Sequence, residues 1–233
     1  MEITRYTLDL IRVMLYRANI AFAADESALS ADERARADAL RVPRERRRFV
    51  AGRVLTRQVL AEQLGISPRE VKFAYGEHGK PRVIPPASWE GPGMGLYFNT
   101  SRSEDDWACA ISTEGEIGVD VERVRELPEL EAMICAYCPK REQEQLALRA
   151  GKGEAVIRPY DQKSRDFLVC WTRKEAVLKA IGAGLSIPPN QIDIFNDAAE
   201  TEVVAQGRRW RVSTQILPSA NEAGKVVLSV ARG

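Results

Sequence analysis

Apolar and polar positions alternate loosely over residues 10–18, the two-residue period of a half-buried strand. A helical pattern follows. Ser30-Ala31-Asp32-Glu33 has the spacing of a capping box, in which hydroxyl and carboxylate satisfy each other's backbone donors, and the helix it starts must stop before Pro43. Pro43 suits the first turn of a second helix reaching about Leu64. Phe49, Val50, Val54, Leu60 and Leu64 fall near one face of it, and Gly65 supplies the stop. Gly and Pro turns then separate short strands expected at 71–75, 82–84, 96–99, 107–112 and 117–121. Beyond Val124 the pattern is helical over 129–150, breaks in a polar loop around 151–162 and resumes over 164–181. Four last strands are expected at 192–195, 202–205, 210–217 and 226–230. The order strand, helices, strands thus occurs twice. It predicts an α+β chain of two lobes of similar size, 1–116 and 117–233, meeting near Glu116.

Composition adds limits. At 233 residues, with 45% hydrophobic and 29% charged positions, the chain is long enough for a large core and falls outside the disordered and disulfide-scaffold classes. Its 34 basic and 33 acidic residues leave a net charge of +1, which argues against binding to nucleic acid or an anionic membrane through bulk charge. Any anion site must therefore be local. Asp9, Arg12 and Arg17 interrupt the early apolar stretches, so neither a signal peptide nor a membrane span is expected, and the chain reads as cytoplasmic. Cys109 and Cys170 stand inside apolar runs as small core residues. Cys135 and Cys138 form a CxxC that reads as helix surface, because His78 is the only histidine and a four-ligand zinc site would have to recruit both isolated cysteines.

Three groups of residues carry candidate chemistry. Arg46, Arg47 and Arg48 crowd the start of the second helix, where cations oppose the helix dipole. The run is either a solvated face or an anion site. In Gly118-Val119-Asp120-Val121-Glu122 the two carboxylates project from one strand face about 6 to 7 Å apart while the valines point inward; this can share a cation or simply be a surface strand. In the helical segment from Trp171 to Lys179, Trp171, Glu175 and Lys179 lie four apart on one face. Alone, that spacing reads as an ordinary surface ion pair. Magnesium, however, usually takes one or two carboxylates plus substrate phosphates and water, so Asp120, Glu122 and Glu175 together make a plausible open site, with Lys179 facing the same phosphates.

Gly-Val-Asp-Val-Glu, followed about fifty residues later by Trp-x-x-Lys-Glu-Ala-x-x-Lys, resembles the paired signature of 4'-phosphopantetheinyl transferases of the Sfp type. Arg47-Arg48-Phe49-x-x-Gly52-Arg53, Gly79-Lys80-Pro81 and Phe98-Asn99-Thr100-Ser101 match in the expected order, and the resemblance covers about residues 29–185. It implies an intramolecular pseudo-dimer of two similar α+β lobes, each with a small, mainly antiparallel sheet packed on helices, with magnesium and coenzyme A in the cleft between them. The implied reaction is attack by a serine hydroxyl of an apo acyl or peptidyl carrier protein on the β-phosphate of coenzyme A. Its products are the phosphopantetheinylated carrier and adenosine 3',5'-bisphosphate. The resemblance makes Asp120, Glu122 and Glu175 the metal site, with Glu175 also the candidate general base. It makes Lys179 the pyrophosphate lysine, and Arg48, Arg53, Lys80 and Ser101 coenzyme-binding positions. It further implies a monomer and leans toward secondary-metabolite synthases as the source of the carrier.

Two positions need separate treatment. Where the family commonly has Ser-His-Ser, this chain reads Ser101-Arg102-Ser103; Arg102 either replaces the histidine at a coenzyme phosphate, with permanent charge and longer reach, or turns to solvent. Glu142, after Pro139-Lys140-Arg141, resembles a further acid that the family places near the reaction centre, and surface-helix acidity explains it equally well. One competing reading is a non-catalytic module that holds coenzyme A; it predicts a missing acid or lysine, and all four are present. An unrelated magnesium-dependent phosphodiesterase would leave Gly79-Lys80-Pro81 and Ser101 unexplained, and no GxxxxGK[ST] sequence supports a P-loop nucleotidase.

Overall fold

The computed structural model describes residues 3–8, 13–89, 95–150, 159–220 and 224–233. The first lobe opens with strands β1 (Thr4–Leu8) and β2 (Val13–Asn19), an antiparallel pair. Helix α1 (Ala31–Asp38) starts on the capping box: Ser30 Oγ accepts the Glu33 amide at 3.3 Å, and Glu33 Oε2 accepts the Ser30 amide at 2.9 Å. Helix α2 (Pro43–Leu64) begins on its proline and ends on Gly65, whose φ of 66° is the left-handed conformation that glycine adopts without strain. A hairpin of β3 (Lys72–Tyr75) and β4 (Pro81–Ile84) follows, then β5 (Tyr97–Ser103) and β6 (Asp106–Ser112). The four-stranded sheet has the order β1-β2-β6-β5, antiparallel throughout. Ala51, Leu55, Val59 and Leu60 of α2 pack on it against Tyr16, Trp107, Cys109 and Ile111.

The second lobe repeats the plan. Strand β7 (Ile117–Arg123) leads through α3 (Leu130–Tyr137) and α4 (Lys140–Ala150) to the long helix α5 (Pro159–Ile181), then to β8 (Glu200–Ala205), β9 (Arg208–Pro218) and β10 (Lys225–Arg232). The sheet order is β7-β10-β9-β8, again antiparallel. Ala176, Val177 and Ala180 of α5 pack on Trp210, Val212 and Ala231. A further apolar cluster belongs to both lobes, joining Leu15, Ala108 and Ala110 to Ile117, Val119, Val121, Leu228 and Val230. The fold is therefore α+β with two similar lobes, each a long helix on an antiparallel sheet. No helix among the described residues is long and apolar enough to cross a membrane.

Several elements differ from the sequence expectation. Strand β1 was not anticipated, and residues 10–12 of the expected first strand lie outside the described residues. Strand β5 runs on to Ser103, because the polar Thr100-Ser101-Arg102-Ser103 run pairs with β6 despite its turn-like composition. The expected helix over 129–150 is two helices, since Cys138 is extended before Pro139, as a residue preceding proline tends to be. Helix α5 starts at Pro159 instead of 164, and residues 151–158 of the expected loop lie outside the described residues. Residues 192–195 form no strand: the Ile194 and Phe195 amides donate to Glu142 Oε1 at 2.7 and 3.0 Å instead of to a sheet partner.

Candidate active site at the seam between the lobes

Strands β5 and β7 are the facing edges of the two sheets. Side chains join them. On β5 the two-residue period puts Asn99, Ser101 and Ser103 on one side, where they accept the Val119, Val121 and Arg123 amides of β7 at 3.0, 3.3 and 3.1 Å. The serines then spend their protons on the acids: Ser101 donates to Asp120 Oδ1 and Ser103 to Glu122 Oε2, each at 2.8 Å.

The opposite alternation on β7 buries Val119 and Val121 in the shared apolar cluster and turns Asp120 and Glu122 to the other face. Helix α5 crosses that face at Gly118. A Cβ there would fall on the Ala176 carbonyl oxygen and the Ala180 amide nitrogen, so only glycine permits the approach. From this crossing Lys179 donates to Asp120 Oδ1 at 2.6 Å and to Ser101 Oγ at 3.1 Å. Asp120 is 4% exposed, which removes the surface-strand reading. Burial pushes its carboxyl above the usual range against the pull of Lys179. Glu122 is raised by burial and by the Asp120 charge. Glu175 is raised by burial, with Lys179 opposing and Asp120 and Glu122 adding. These shifts couple all three carboxylates electrically. Asp120 Oδ2 and Glu175 Oε1 are buried with no hydrogen-bond partner among the described residues. Among the described residues no group of three or more acidic, histidine or cysteine side chains is placed to hold a metal ion.

Beside the acids, Arg48, Arg53, Thr100, Ser101, Arg102 and Trp107 line a recess of about 170 Å³. The structure thus brings together four of the expected coenzyme-binding residues: Arg48, Arg53, Ser101 and Arg102. The arginine run at the start of α2 is divided: Arg46 pairs with Glu26 and Asp38, Arg47 is exposed, and Arg48 is buried against Asp105 at 2.7 Å. Arg102 is exposed, its side chain 39% accessible at the rim of the recess, and its Nη2 donates to Glu45 Oε2 at 2.9 Å. Arg53 also borders a larger cavity of about 820 Å³, lined by Arg36, Arg69, Lys72, Phe73 and Tyr75 with Gly79 and Pro81. Its guanidinium lies 4.7 Å from the centre of the Phe73 ring.

Lys80 is not brought to the recess. Its ammonium donates to Glu116 Oε2 at 2.5 Å, the Ala180 carbonyl at 2.8 Å and the Ile117 carbonyl at 3.3 Å, which uses all three of its donors where the hairpin meets α5 and β7. Glu142 corrects the surface-helix expectation. It is fully buried, paired with Lys174 at 2.7 Å, and holds the 194–195 backbone. The CxxC also divides: Cys135 is exposed, while Cys138 is buried in the apolar cluster that contains Cys170. Sequence reasoning missed Asn99, Ser103, Glu45 and Asp105. The first two leave a signal, a polar side chain at every second position of a strand.

The seam between the lobes thus sets one buried and two half-buried carboxylates and a lysine beside an arginine-lined recess, an arrangement suited to a phosphate-bearing ligand. Residues 116–231 match the model of the 4'-phosphopantetheinyl transferase superfamily, and residues 18–115 match that of the 4'-phosphopantetheinyl transferase N-terminal region. The chain is 34% identical over 203 residues to the 4'-phosphopantetheinyl transferase HetI of Nostoc sp., covering 87% of this chain and 79% of the relative. It is 28% identical over 166 residues to the transferase gsp of Aneurinibacillus migulanus, covering 71% and 61%. Identity to the transferase AcpT of Escherichia coli is 34% over 137 residues, covering 59% and 58%. The chain belongs to the 4'-phosphopantetheinyl transferase superfamily, enzymes that move phosphopantetheine from coenzyme A to carrier proteins.

Proposed function

We propose that Asp120, Glu122 and Glu175 hold a magnesium ion beside Lys179, and that the recess at Arg48, Arg53, Ser101 and Arg102 takes phosphates of coenzyme A for transfer of 4'-phosphopantetheine to a carrier-protein serine. The observation that carries this reading is the pair of partnerless buried oxygens, Asp120 Oδ2 and Glu175 Oε1. Buried acceptors without donors are costly and suit a cation. The donors are all hard carboxylate oxygens, which fit magnesium, and an incomplete protein cage fits an ion that keeps water and substrate phosphate. When bound, the ion would supply positive charge to a pyrophosphate whose bond is breaking.

The chain's own groups do the rest. Lys179, already at the seam, supplies a second positive charge for the pyrophosphate. Glu175, whose carboxyl is raised by burial, is the group suited to accept the proton of the attacking serine hydroxyl. Arg48 and Arg102 offer planar donor pairs to phosphate oxygens. The larger cavity, with Phe73 and Tyr75 among Arg36, Arg69 and Lys72, suits the adenosine end, which would then touch mainly first-lobe residues. The partner is an acyl or peptidyl carrier protein, met by a monomer in the cytoplasm, with no part for nucleic acid or membrane.

The test is incubation with magnesium, coenzyme A and a panel of apo carriers, each weighed afterwards. A gain of the phosphopantetheine mass on any carrier is expected. Coenzyme A binding without mass gain on every carrier would favour the non-catalytic module.

A further inference from the structure

We infer that Glu45 is a built-in competitor for a phosphate group of coenzyme A, and that it sets how tightly the recess takes the coenzyme. The inference rests on the reading of that recess as a coenzyme site. Glu45 stands in the first turn of α2, and its two oxygens serve two different arginines: Oε1 accepts Arg48 Nη1 and Oε2 accepts Arg102 Nη2, each at 2.9 Å. Two oxygens of one anion bridging two guanidiniums is the arrangement a phosphate makes. Both arginines line the recess.

The carboxylate is loosely held and the site beneath it is built. Glu45 has a side chain 37% exposed, so it can swing into solvent at little cost. Arg48 does not depend on it, because Asp105 fixes its Nε at 2.7 Å and the residue is only 8% exposed. Its Nη2 is buried without a partner among the described residues, a donor that an arriving acceptor would satisfy. Arg102, the arginine that stands where the resemblance expects histidine, has Glu45 as its ion-pair partner. A phosphate entering between Arg48 and Arg102 therefore meets two cations, one unused donor and one like charge that must leave.

Glu45→Gln removes that charge, keeps the shape and touches no reacting atom. Calorimetry on the full chain should show coenzyme A bound about fivefold tighter by the variant at low salt, the scale of one unit charge at close range in a wet site, with the gain shrinking as ionic strength rises. In the transfer assay KM for coenzyme A should fall while kcat stays. Dephospho-coenzyme A locates the contact: if only intact coenzyme A gains, the displaced carboxylate yields to the 3'-phosphate, and if both gain, to the pyrophosphate. Unchanged or weaker coenzyme A binding by a variant that melts like the wild type would overturn the inference and make Glu45 a brace for the arginines. Failure of the wild type to bind coenzyme A would instead undo the coenzyme reading itself.

Discussion

Ionising Asp120, Glu122 and Glu175 works against the fold, because burial disfavours the charged form of each. Each native pKa is raised, so from the ordinary carboxylate value, about 4, up to the native one, the folded chain binds more protons than the unfolded chain and stability falls as pH rises. Glu175→Gln should abolish transfer yet melt no lower than the wild type at pH 7, and this relative advantage should disappear below pH 4. Magnesium should raise the wild-type melting temperature at pH 7 and leave the variant where it was. A clear loss of stability in Glu175→Gln at neutral pH would contradict the burial argument. Glu142 is a separate case, a carboxylate paired with Lys174 inside the core. Lys174→Met should cost about 3 to 5 kcal/mol by stranding the Glu142 carboxylate, and adding Glu142→Leu should recover part of it in denaturant titrations. Glu142→Gln that kept full stability but lost transfer would return this residue to the chemistry.

Helix α5 crosses β7 at one glycine, and the site depends on that crossing. Gly118→Ala should destabilise the chain by about 3 kcal/mol or more, since the obstacle is backbone instead of a movable side chain; denaturant midpoints would register it. Ser103→Ala removes the hydroxyl that joins the Arg123 amide to Glu122, and should cost about 1 to 3 kcal/mol and weaken magnesium in a calorimetric titration. These cases also mark how far the sequence could be read. The Ser30 box, Pro43 and Gly65 act on their own neighbours, so α1 and α2 were legible almost to the residue. Asp120, Glu175 and Lys179 were legible as one group only because a family pattern joined segments that no local rule connects. Ser103 and Glu45 act across the seam or across fifty residues of chain, and the 194–195 backbone loses its strand character to a carboxylate on α4. Composition and period hold no record of such partners.

The lobes are not separate bodies. They share an apolar cluster, and beside it Arg17 donates to the Pro218 carbonyl at 2.8 Å while Asp106 accepts Ser219 Oγ and the Ala220 amide at 2.6 Å each. Lys80 ties the hairpin of the first lobe to the end of α5 in the second. Unfolding in denaturant should therefore be a single transition, with coincident midpoints from tryptophan fluorescence and far-ultraviolet circular dichroism, Trp107 and Trp210 reporting on opposite lobes. Two resolved steps would show that the lobes melt independently. The shared cluster also dictates an order of events on the ribosome. Leu15, Ala108 and Ala110 are covered by β7 and β10, and the stretch from Ser112 to Lys225 takes on the order of ten seconds to synthesise at usual ribosomal rates. Throughout that interval the nascent first lobe has β7 within reach but the β10 part of its cover still untranslated, so the yield of soluble protein should depend on chaperones that shield emerging chains.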